Sequence, residues 1–326
     1  MTDVLLINPG NSDQVYQDLS KEYSAIEPPT WSLLLAKSCQ SQGFKAEIMD
    51  CNAEKLTKEK ILERIEKSNP RLICLVVYGQ NVNGGTANMK GALDIANFLK
   101  DKTDRLISFI GSHVQALPVE TLKKERSIDF VFTNEGVYAL WNILKLKKIS
   151  IENLSGIKGI ALRNKSNEIE FNKPEIVVPN DKMDEHLPGY AWELLPYKNK
   201  PFDLYRSPMW HAEYDYEKRS PYASLQTSLG CQFSCSFCMI NMINRNDEEE
   251  IGVAGNYSNM RFWSPSFIIR EFDKLINMGV RTIRIVDEMF LLNKKYYVPL
   301  CEMLSERNKD DSLRMWSYSR VDTIKN

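Results

Sequence analysis

The first 148 residues alternate between short, continuous apolar runs and longer stretches in which apolar residues recur at helical spacing. Such runs predict strands buried on both faces, and the periodic stretches predict helices between them. One helix is expected to begin after Pro28 and Pro29, and another at Thr57 as its N-cap. The predicted strands span residues 4–7, 46–50, 72–77, 106–110 and 128–132. This alternation is typical of a parallel, doubly wound α/β sheet, which we assign to residues 1–148.

Residues 149–220 follow a different pattern. A hairpin is predicted between residues 157–162 and 168–171, across an Asn-Lys-Ser-Asn turn. The remainder is rich in proline and aromatic residues, and its most apolar part, residues 187–196, is expected to pack between two domains. We therefore interpret residues 149–220 as a hairpin and an interdomain linker.

Strand and helix patterns return in residues 221–326. Strands are predicted at residues 222–227, 282–286 and 313–318, and a helix is predicted to begin at Ser264-Pro265. Pro299 is expected to kink the next helix or to delay its start. Strand, helix, strand, helix, strand is the order that opens a parallel (β/α) barrel, whose active site lies at the carboxyl ends of its strands.

Small and polar residues follow the predicted strands. Ligands of open parallel sheets bind beyond these carboxyl ends, where glycine lets the backbone approach a flat ligand. The first domain offers Asn8, Pro9, Tyr78, Gly79, Gln80, Asn81, Gly111, Ser112, His113, Asn134, Glu135 and Gly136, and the second offers Asp287, Glu288, Ser317, Ser319 and Arg320.

Three cysteines, Cys231, Cys235 and Cys238, lie at C-x₃-C-x₂-C spacing just after the first strand of the second domain. Thiolates suit iron–sulfur clusters or zinc. A structural zinc site needs four ligands, usually from two paired spacings, so zinc would need Cys301 or a histidine to complete it. Three cysteines on one loop could instead hold three irons of a cubane cluster and leave the fourth iron open. Three ordinary cysteines are the remaining interpretation.

The trio, with Phe237 before its last cysteine, resembles the radical S-adenosylmethionine superfamily. The resemblance implies that Cys231, Cys235 and Cys238 ligate a [4Fe–4S] cluster whose open iron binds S-adenosylmethionine. An external electron donor of the flavodoxin or ferredoxin type would reduce the cluster. Asp287 and Glu288 would accept hydrogen bonds from the amino group of S-adenosylmethionine. Its carboxylate or ribose would meet Ser317, Ser319 and Arg320.

The first domain resembles the cobalamin-binding domain that precedes many radical S-adenosylmethionine domains. The likeness rests on Pro28-Pro29, on residues 111–113 followed by Pro118, on residues 134–137, and on the linker segment 187–196. Residues 134–137 read Asn-Glu-Gly-Val, so their first and last positions depart from the usual Gly-Glu-Gly-Glu. Residues 8–16 contain no histidine, so this loop supplies none to cobalt. We place His113 near the corrin edge. A flavodoxin-like module with another ligand, or none, is the alternative.

Composition excludes some classes of protein and leaves others. The chain has 326 residues and a net charge of −1, which does not suggest nucleic acid or an anionic membrane as a partner. No apolar run is long enough to span a bilayer. Seven cysteines, three of them clustered, do not form a disulfide framework, so a reducing cytoplasmic setting is expected.

The family resemblance implies a methyltransferase that acts on an unactivated carbon of a small-molecule substrate. Other cobalamin-associated radical chemistry, such as cyclisation or oxidation, remains an alternative. The superfamily barrel normally has six strand–helix units, and residues 221–326 supply three. A truncated, inactive cobalamin- and cluster-binding fragment is therefore a further alternative, and we expect the chain as given to turn over poorly.

Overall fold

A computed structural model describes residues 1–10, 17–18, 24–79, 82–196, 204–207, 221–233, 235–240 and 260–324. Gln80 and Asn81, two of the predicted strand-end residues, lie outside the described residues. The first sheet has seven strands in the order β2–β1–β3–β4–β5–β6–β7. Its strands are β1 (Thr2–Asn8), β2 (Ala46–Asp50), β3 (Pro70–Val76), β4 (Ile107–Ile110), β5 (Phe130–Phe132), β6 (Ile160–Arg163) and β7 (Ile169–Phe171).

Strands β1 to β5 are parallel, and helices cover both faces of their sheet. Val4 and Leu6 enter one hydrophobic cluster, whereas Leu5 and Ile7 enter a second cluster on the opposite face. Burial on both sides explains why these strands appear as unbroken apolar runs. The helices of this domain are Thr30–Ser41, Cys51–Glu54, Lys58–Ser68, Gly85–Lys100, Ser112–Ala116, Pro118–Lys124, Val137–Leu144 and Ile151–Leu154.

The predicted hairpin exists, but it extends the first sheet. Strand β6 pairs antiparallel with β5, and β7 pairs antiparallel with β6. The sheet therefore continues beyond residue 148, into the region that the sequence assigns to the linker. Pairing with β6 satisfies the backbone groups that an exposed β5 would leave open.

The linker packs against both domains, as its apolar sequence predicts. Leu187, Tyr190 and Trp192 are buried in the same hydrophobic cluster as residues of the first and second domains. The Trp192 indole Nε1 donates to the Glu271 carboxylate at 3.1 Å. On the other side, the Ser38 hydroxyl donates to the carbonyl of His186 at 2.7 Å. This segment contains the short helix Met183–His186 and the 3₁₀ turns Asn180–Lys182 and Trp192–Leu194.

The second domain has a three-stranded parallel sheet, in the order β12–β11–β8. A separate antiparallel pair joins β9 to β10. Its strands are β8 (Tyr222–Leu225), β9 (Ser228–Leu229), β10 (Arg261–Phe262), β11 (Thr282–Ile285) and β12 (Arg314–Ser317), and its helices are Pro265–Asn277 and Lys294–Ser305. Within the described residues, the three parallel strands and the two helices between them follow the predicted order of strand, helix, strand, helix, strand.

The starts of the two helices in this domain test the predictions made from Ser264-Pro265 and from Pro299. Ser264 caps the helix Pro265–Asn277, because its hydroxyl accepts from the Phe267 amide at 3.2 Å. The helix Lys294–Ser305 is capped by the Asn293 side chain and continues through Pro299. The expectation that Pro299 delays the start of this helix is wrong, because the helix begins at Lys294, where the Asn293 side chain accepts from the Lys295 amide. Within the described residues, no helix has the length and apolar character needed to cross a bilayer.

Candidate functional site

The carboxyl ends of the two sheets face a common cleft, which we call the interdomain cleft. Its empty volume is about 740 Å³, including the open space at its mouth. The first-domain wall comprises Glu27, Thr30, Trp31, Tyr78, Gly79, Val82, Gln115 and Glu135. The second-domain wall comprises Gln226, Leu229, Gly230, Ile240, Arg261, Val286 and Glu288.

Three side chains of the first-domain wall form a row of contacts, in which Trp31 touches Tyr78 and Tyr78 touches Gln115. The rings of Trp31 and Tyr78 are tilted against each other with centroids 5.4 Å apart. The Gln115 Nε2 donates to the Tyr78 hydroxyl at 2.7 Å and to the Asn134 carbonyl at 2.6 Å. Two buried polar atoms here, Trp31 Nε1 and Gln115 Oε1, have no hydrogen-bond partner among the described residues.

Other predicted strand-end residues are engaged within the first domain. The Asn8 side-chain amide donates to the Asp50 carboxylate at 2.7 Å. The Asn134 amide donates to the carbonyl of Glu175 at 2.6 Å, and its oxygen accepts from the Gly136 amide at 2.9 Å. Asn8, Pro9, Asn134 and Gly136 do not line the interdomain cleft.

The glycines at these strand ends serve the packing of the domain itself. A Cβ on Gly111 would lie 2.0 Å from the Val77 carbonyl oxygen, and one on Gly79 would lie 2.4 Å from the Gly84 backbone. Gly79 also lines the cleft, but Gly111 does not. The close approach of the Val77 backbone thus explains why residue 111 is a glycine, and contact of Gly111 with a ligand stays a prediction.

His113 follows Gly111 in the short helix Ser112–Ala116 and does not line the interdomain cleft. Its Nδ1 lies 3.1 Å from the Thr86 hydroxyl. Burial, followed by the charge of Lys124, lowers the pKa of this half-buried imidazole. Ser112, beside it, is fully buried. Contact of His113 with a corrin edge stays a prediction.

The three clustered cysteines follow β9 on one loop and are free thiols. Cys231 is buried, whereas Cys235 and Cys238 are partly exposed, and burial raises the pKa of the Cys231 thiol. The Cys238 amide donates to the Cys235 carbonyl at 3.0 Å. Cys231 and Cys238 pack in one small cluster that also includes Val82 of the first domain.

Three free thiols on one loop fit an iron–sulfur cluster by their donor chemistry. No three His, Cys, Asp or Glu side chains converge as a metal site in the part of the chain that the structure describes. Ligation of a cluster by the three cysteines therefore stays a prediction. The Phe237 ring beside the last cysteine is 81% exposed.

The two neighbouring acids after β11 occupy different environments. The buried Asp287 carboxylate accepts from the Thr227 amide, the Thr227 hydroxyl and the Ser228 hydroxyl, each at 2.6 Å. It thereby anchors the segment that leads to Cys231. Glu288 lines the interdomain cleft, and burial raises its pKa to about 8. Of these two neighbouring acids, Glu288 is thus the one that a ligand in the cleft can contact.

Of the predicted residues at the end of β12 and beyond it, Arg320 lies near the cysteine loop, and none lines the cleft. The Arg320 guanidinium is 4.2 Å from the centroid of the Phe233 ring, and its nitrogen lies 4.0 Å from the Cys235 sulfur. Ser319 contacts the Thr323 hydroxyl at 2.8 Å, and Ser317 is the last residue of β12.

Two buried ion pairs join the domains beside the cleft. Glu135 and Arg261 form a bidentate pair at 2.7 and 3.2 Å, and their side chains are only 7% and 8% exposed. Arg261 also donates to the Val178 carbonyl at 2.8 Å. Glu27 pairs with Arg284 and accepts from the Tyr222 hydroxyl at 2.9 Å. Burial raises the Glu27 pKa, and the neighbouring Arg284 opposes that shift.

Several cleft residues were not predicted from the sequence. Trp31 lies in the helix Thr30–Ser41 and Gln115 in the helix Ser112–Ala116, and neither follows a strand directly in the sequence. Glu27 directly precedes Pro28-Pro29, and this position is the one signal that the sequence offers for it. The unpredicted lining residues are Glu27, Thr30, Trp31, Val82, Gln115, Gln226, Leu229, Gly230, Ile240, Arg261 and Val286.

Comparison with known proteins finds similarity both in sequence and in fold. Residues 18–144 match the B12 binding domain family. The chain as a whole has the mixed α/β, mostly parallel fold of cobalamin-dependent radical S-adenosylmethionine enzymes. The B12-binding recognition and the fold class predicted from the sequence are therefore both confirmed.

The particular structures that share this fold include the cobalamin-dependent S-adenosylmethionine radical enzyme OxsB, solved with aqua-cobalamin and S-adenosylmethionine. The TM-score is 0.69 at 18% identity, over 100% of this chain and 40% of that one. The radical S-adenosylmethionine methyltransferase TsrM from Kitasatospora setae gives a TM-score of 0.63 at 17% identity. That match covers 98% of this chain and 55% of TsrM.

Two curated relatives are similar in sequence. An uncharacterized methyltransferase of Pyrococcus horikoshii is 25% identical over 324 residues, which are 98% of this chain and 60% of that protein. The hopanoid C-3 methylase of Methylococcus capsulatus is 25% identical over 223 residues, which are 67% of this chain and 37% of the methylase. The chain thus spans about 60% or less of the length of these relatives.

Proposed function

We propose that this chain carries the cobalamin-binding domain and the cluster loop of a radical S-adenosylmethionine methyltransferase. One observation carries the proposal. The strand ends of a B12-binding domain and those of a domain with a C-x₃-C-x₂-C loop open onto the same cleft. Two cofactors bound at these opposing strand ends would meet in that cleft. The relatives named as methyltransferases support methyl transfer as the reaction.

Each cofactor has residues that suit it. Cys231, Cys235 and Cys238 would hold a [4Fe–4S] cluster, and Glu288 would orient the amino group of S-adenosylmethionine. Cobalamin would occupy the first-domain wall, where Trp31 Nε1 and Gln115 Oε1 lack partners among the described residues. When bound, the cluster with S-adenosylmethionine supplies one-electron chemistry, and cobalamin supplies methyl transfer.

The chain's own residues would position these groups and restrict water. The Glu135–Arg261 and Glu27–Arg284 pairs hold the two walls of the cleft together, and Val82 packs on the cysteine loop. We further propose an external one-electron donor and a small-molecule substrate with an unactivated carbon. Ser317, Ser319 and Arg320 are proposed to contact S-adenosylmethionine from the side of β12.

Anaerobic reconstitution tests the cluster part of this proposal. We expect about four irons and four sulfides per chain. Replacing Cys235 with alanine should abolish iron uptake, whereas Cys301→Ala, at an exposed cysteine outside the trio, should leave it unchanged. Stoichiometric zinc without iron uptake would contradict the proposal.

The reaction is tested with S-adenosylmethionine labelled at its methyl group, a low-potential reductant and added aquacobalamin. Methyl transfer predicts label on the bound corrin and formation of 5′-deoxyadenosine. Deoxyadenosine without corrin labelling would favour another radical reaction, such as cyclisation or oxidation. Neither product, from a chain that holds both cofactors, would favour a non-catalytic binding protein.

A further inference from the structure

We propose that Trp31, Tyr78 and Gln115 form a carboxamide-recognition site that binds one amide side chain of the corrin ring. The inference rests on the proposed function, because it takes cobalamin as the ligand of the interdomain cleft. It goes further by assigning the residues that distinguish a corrin with intact amides from one bearing a carboxylate. Of these residues, only Tyr78 belongs to a strand-end motif.

The first observation is a pair of buried polar atoms of opposite type. The Trp31 indole Nε1 is a donor, the Gln115 Oε1 is an acceptor, and neither has a partner among the described residues. Both side chains line the interdomain cleft. A buried polar group without a partner costs about 1–3 kcal/mol, so such groups are rare unless a ligand or water completes them.

The second observation fixes which atoms of Gln115 remain available. Its side-chain amide group contacts the Asn134 carbonyl at 2.6 Å, and a carbonyl only accepts, so the contacting atom is Nε2. The other atom is therefore Oε1, an acceptor. Nε2 also donates to the Tyr78 hydroxyl oxygen at 2.7 Å, which leaves the hydroxyl proton of Tyr78 free to point elsewhere.

These three side chains together hold two donors and one acceptor: the Trp31 Nε1–H, the Tyr78 hydroxyl and the Gln115 Oε1. The Trp31 and Tyr78 rings are in contact, and Gln115 is hydrogen-bonded to Tyr78. A primary carboxamide is complementary to this set. Its carbonyl accepts from Trp31 Nε1–H or the Tyr78 hydroxyl, and its NH₂ group donates to Gln115 Oε1. Acetamide and propionamide groups of this kind surround the corrin ring.

Gln115 Oε1 disfavours the corresponding acid. A ligand carboxylate has no proton to donate and would place an acceptor against this buried acceptor, which has no partner among the described residues. The carboxylates of Glu27 and Glu135, which also line the cleft, are each paired with an arginine and add no net charge to this argument. The three residues therefore select a neutral amide over its hydrolysis product.

Equilibrium binding of aquacobalamin to the reconstituted protein, followed by its visible spectrum, tests the site. Trp31→Phe and Tyr78→Phe each remove one polar partner and keep an apolar group of similar shape. Gln115→Met removes the Oε1 acceptor together with the Nε2 hydrogen bonds to Tyr78 and Asn134. We expect each to weaken binding about 3- to 10-fold. Trp141→Phe is the matched control, since the Trp141 Nε1 is satisfied by Ser38 at 3.1 Å and Trp141 does not line the cleft.

Corrin derivatives with a single peripheral amide hydrolysed to a carboxylate identify the contact itself. We expect one isomer to bind the wild-type protein at least about tenfold more weakly than aquacobalamin, and the others to bind like aquacobalamin. In the double variant Trp31→Phe, Gln115→Met, that selective loss should disappear. A general loss of folding in the variants would weaken every isomer equally, so the selectivity separates recognition from stability.

Two results would overturn the inference in different ways. If the wild-type protein binds all isomers equally, the amide site is wrong, whereas cobalamin binding and the proposed function stand. If the protein takes up iron but does not bind aquacobalamin, the cobalamin part of the proposed function fails, and the inference fails with it.

Discussion

The strand ends of the first domain and those of the second face the same cleft but differ in how their polar groups are used. In the first domain, Asn8 and Asn134 are bound to Asp50 and Glu175, and Gly111 packs against Val77. Among the described residues that line the cleft, the buried polar atoms without a hydrogen-bond partner belong to Trp31 and Gln115, which lie in helices. In the second domain, one of the two acids after β11 stabilises the fold and the other faces the cleft.

Asp287 and Glu288 are neighbours, yet one holds the fold and the other faces the cleft. Asp287 accepts three hydrogen bonds from the segment before Cys231, while Glu288 lines the cleft. The end of a strand therefore shows where a ligand could bind. The hydrogen bonds of each side chain then show which residues there remain open to a ligand.

The largest change in stability is expected at the Glu135–Arg261 ion pair, which joins the two walls of the interdomain cleft. Arg261→Met leaves the buried Glu135 carboxylate without its guanidinium partner, which should lower the free energy of unfolding by about 3–5 kcal/mol in urea titrations. The double variant Glu135→Gln, Arg261→Met should recover part of this loss, because the buried charge is gone. Lys37→Met, at a more exposed ion pair with Glu193, is the control and should cost at most about 1 kcal/mol. Equal losses from both arginine and lysine variants would contradict the prediction.

Next comes the acid that anchors the cysteine loop. Asp287→Ala removes the acceptor of Thr227 and Ser228, so the free energy of unfolding should fall by about 3 kcal/mol, and iron uptake should fall with it. Glu288→Gln should change the free energy of unfolding by less than about 1 kcal/mol, because Glu288 faces the cleft. Similar stability of the two variants would show that these neighbours do not divide the roles.

The smallest effect concerns a glycine of the first domain. Gly111→Ala would bring a Cβ within 2.0 Å of the Val77 carbonyl oxygen, so thermal unfolding should report a loss of about 1–2 kcal/mol. Gly156→Ala is the matched control, because no atom lies within 4 Å of its added Cβ, and it should be neutral or slightly stabilising. A neutral Gly111→Ala would contradict the prediction, because it would mean that the backbone of Val77 or of residue 111 moves at little cost to accept the Cβ.

Much of the fold could be predicted because the first sheet is buried on both faces. Its parallel strands follow from apolar runs such as residues 72–77, and the capped helices follow from Thr57 and Ser264. The pairing of β6 with β5 could not be predicted, since a hairpin carries no signal for the sheet edge it joins. Pro299 misled for a similar reason: a local signal was outweighed by the Asn293 cap and by burial of Leu300.

The candidate site was predictable only in outline. The three cysteines stand out by spacing alone, whereas Asp287 and Glu288 are indistinguishable until their partners are known. Arg261 lies 30 residues beyond Cys231, on a two-residue strand without a periodic pattern, and its partner Glu135 is far away in sequence. Gln115 is distinguished only by its buried oxygen, which has no hydrogen-bond partner among the described residues. Residues defined by long-range contacts leave no local pattern to read.

The buried linker has a consequence for how this chain could be taken apart. Because Tyr190 and Trp192 are shared between the cores of both domains, no cut between residues 187 and 195 leaves two intact surfaces. Recombination at that position would separate each domain from part of its own interior. An exchange of modules between related genes would therefore keep its crossover outside this segment.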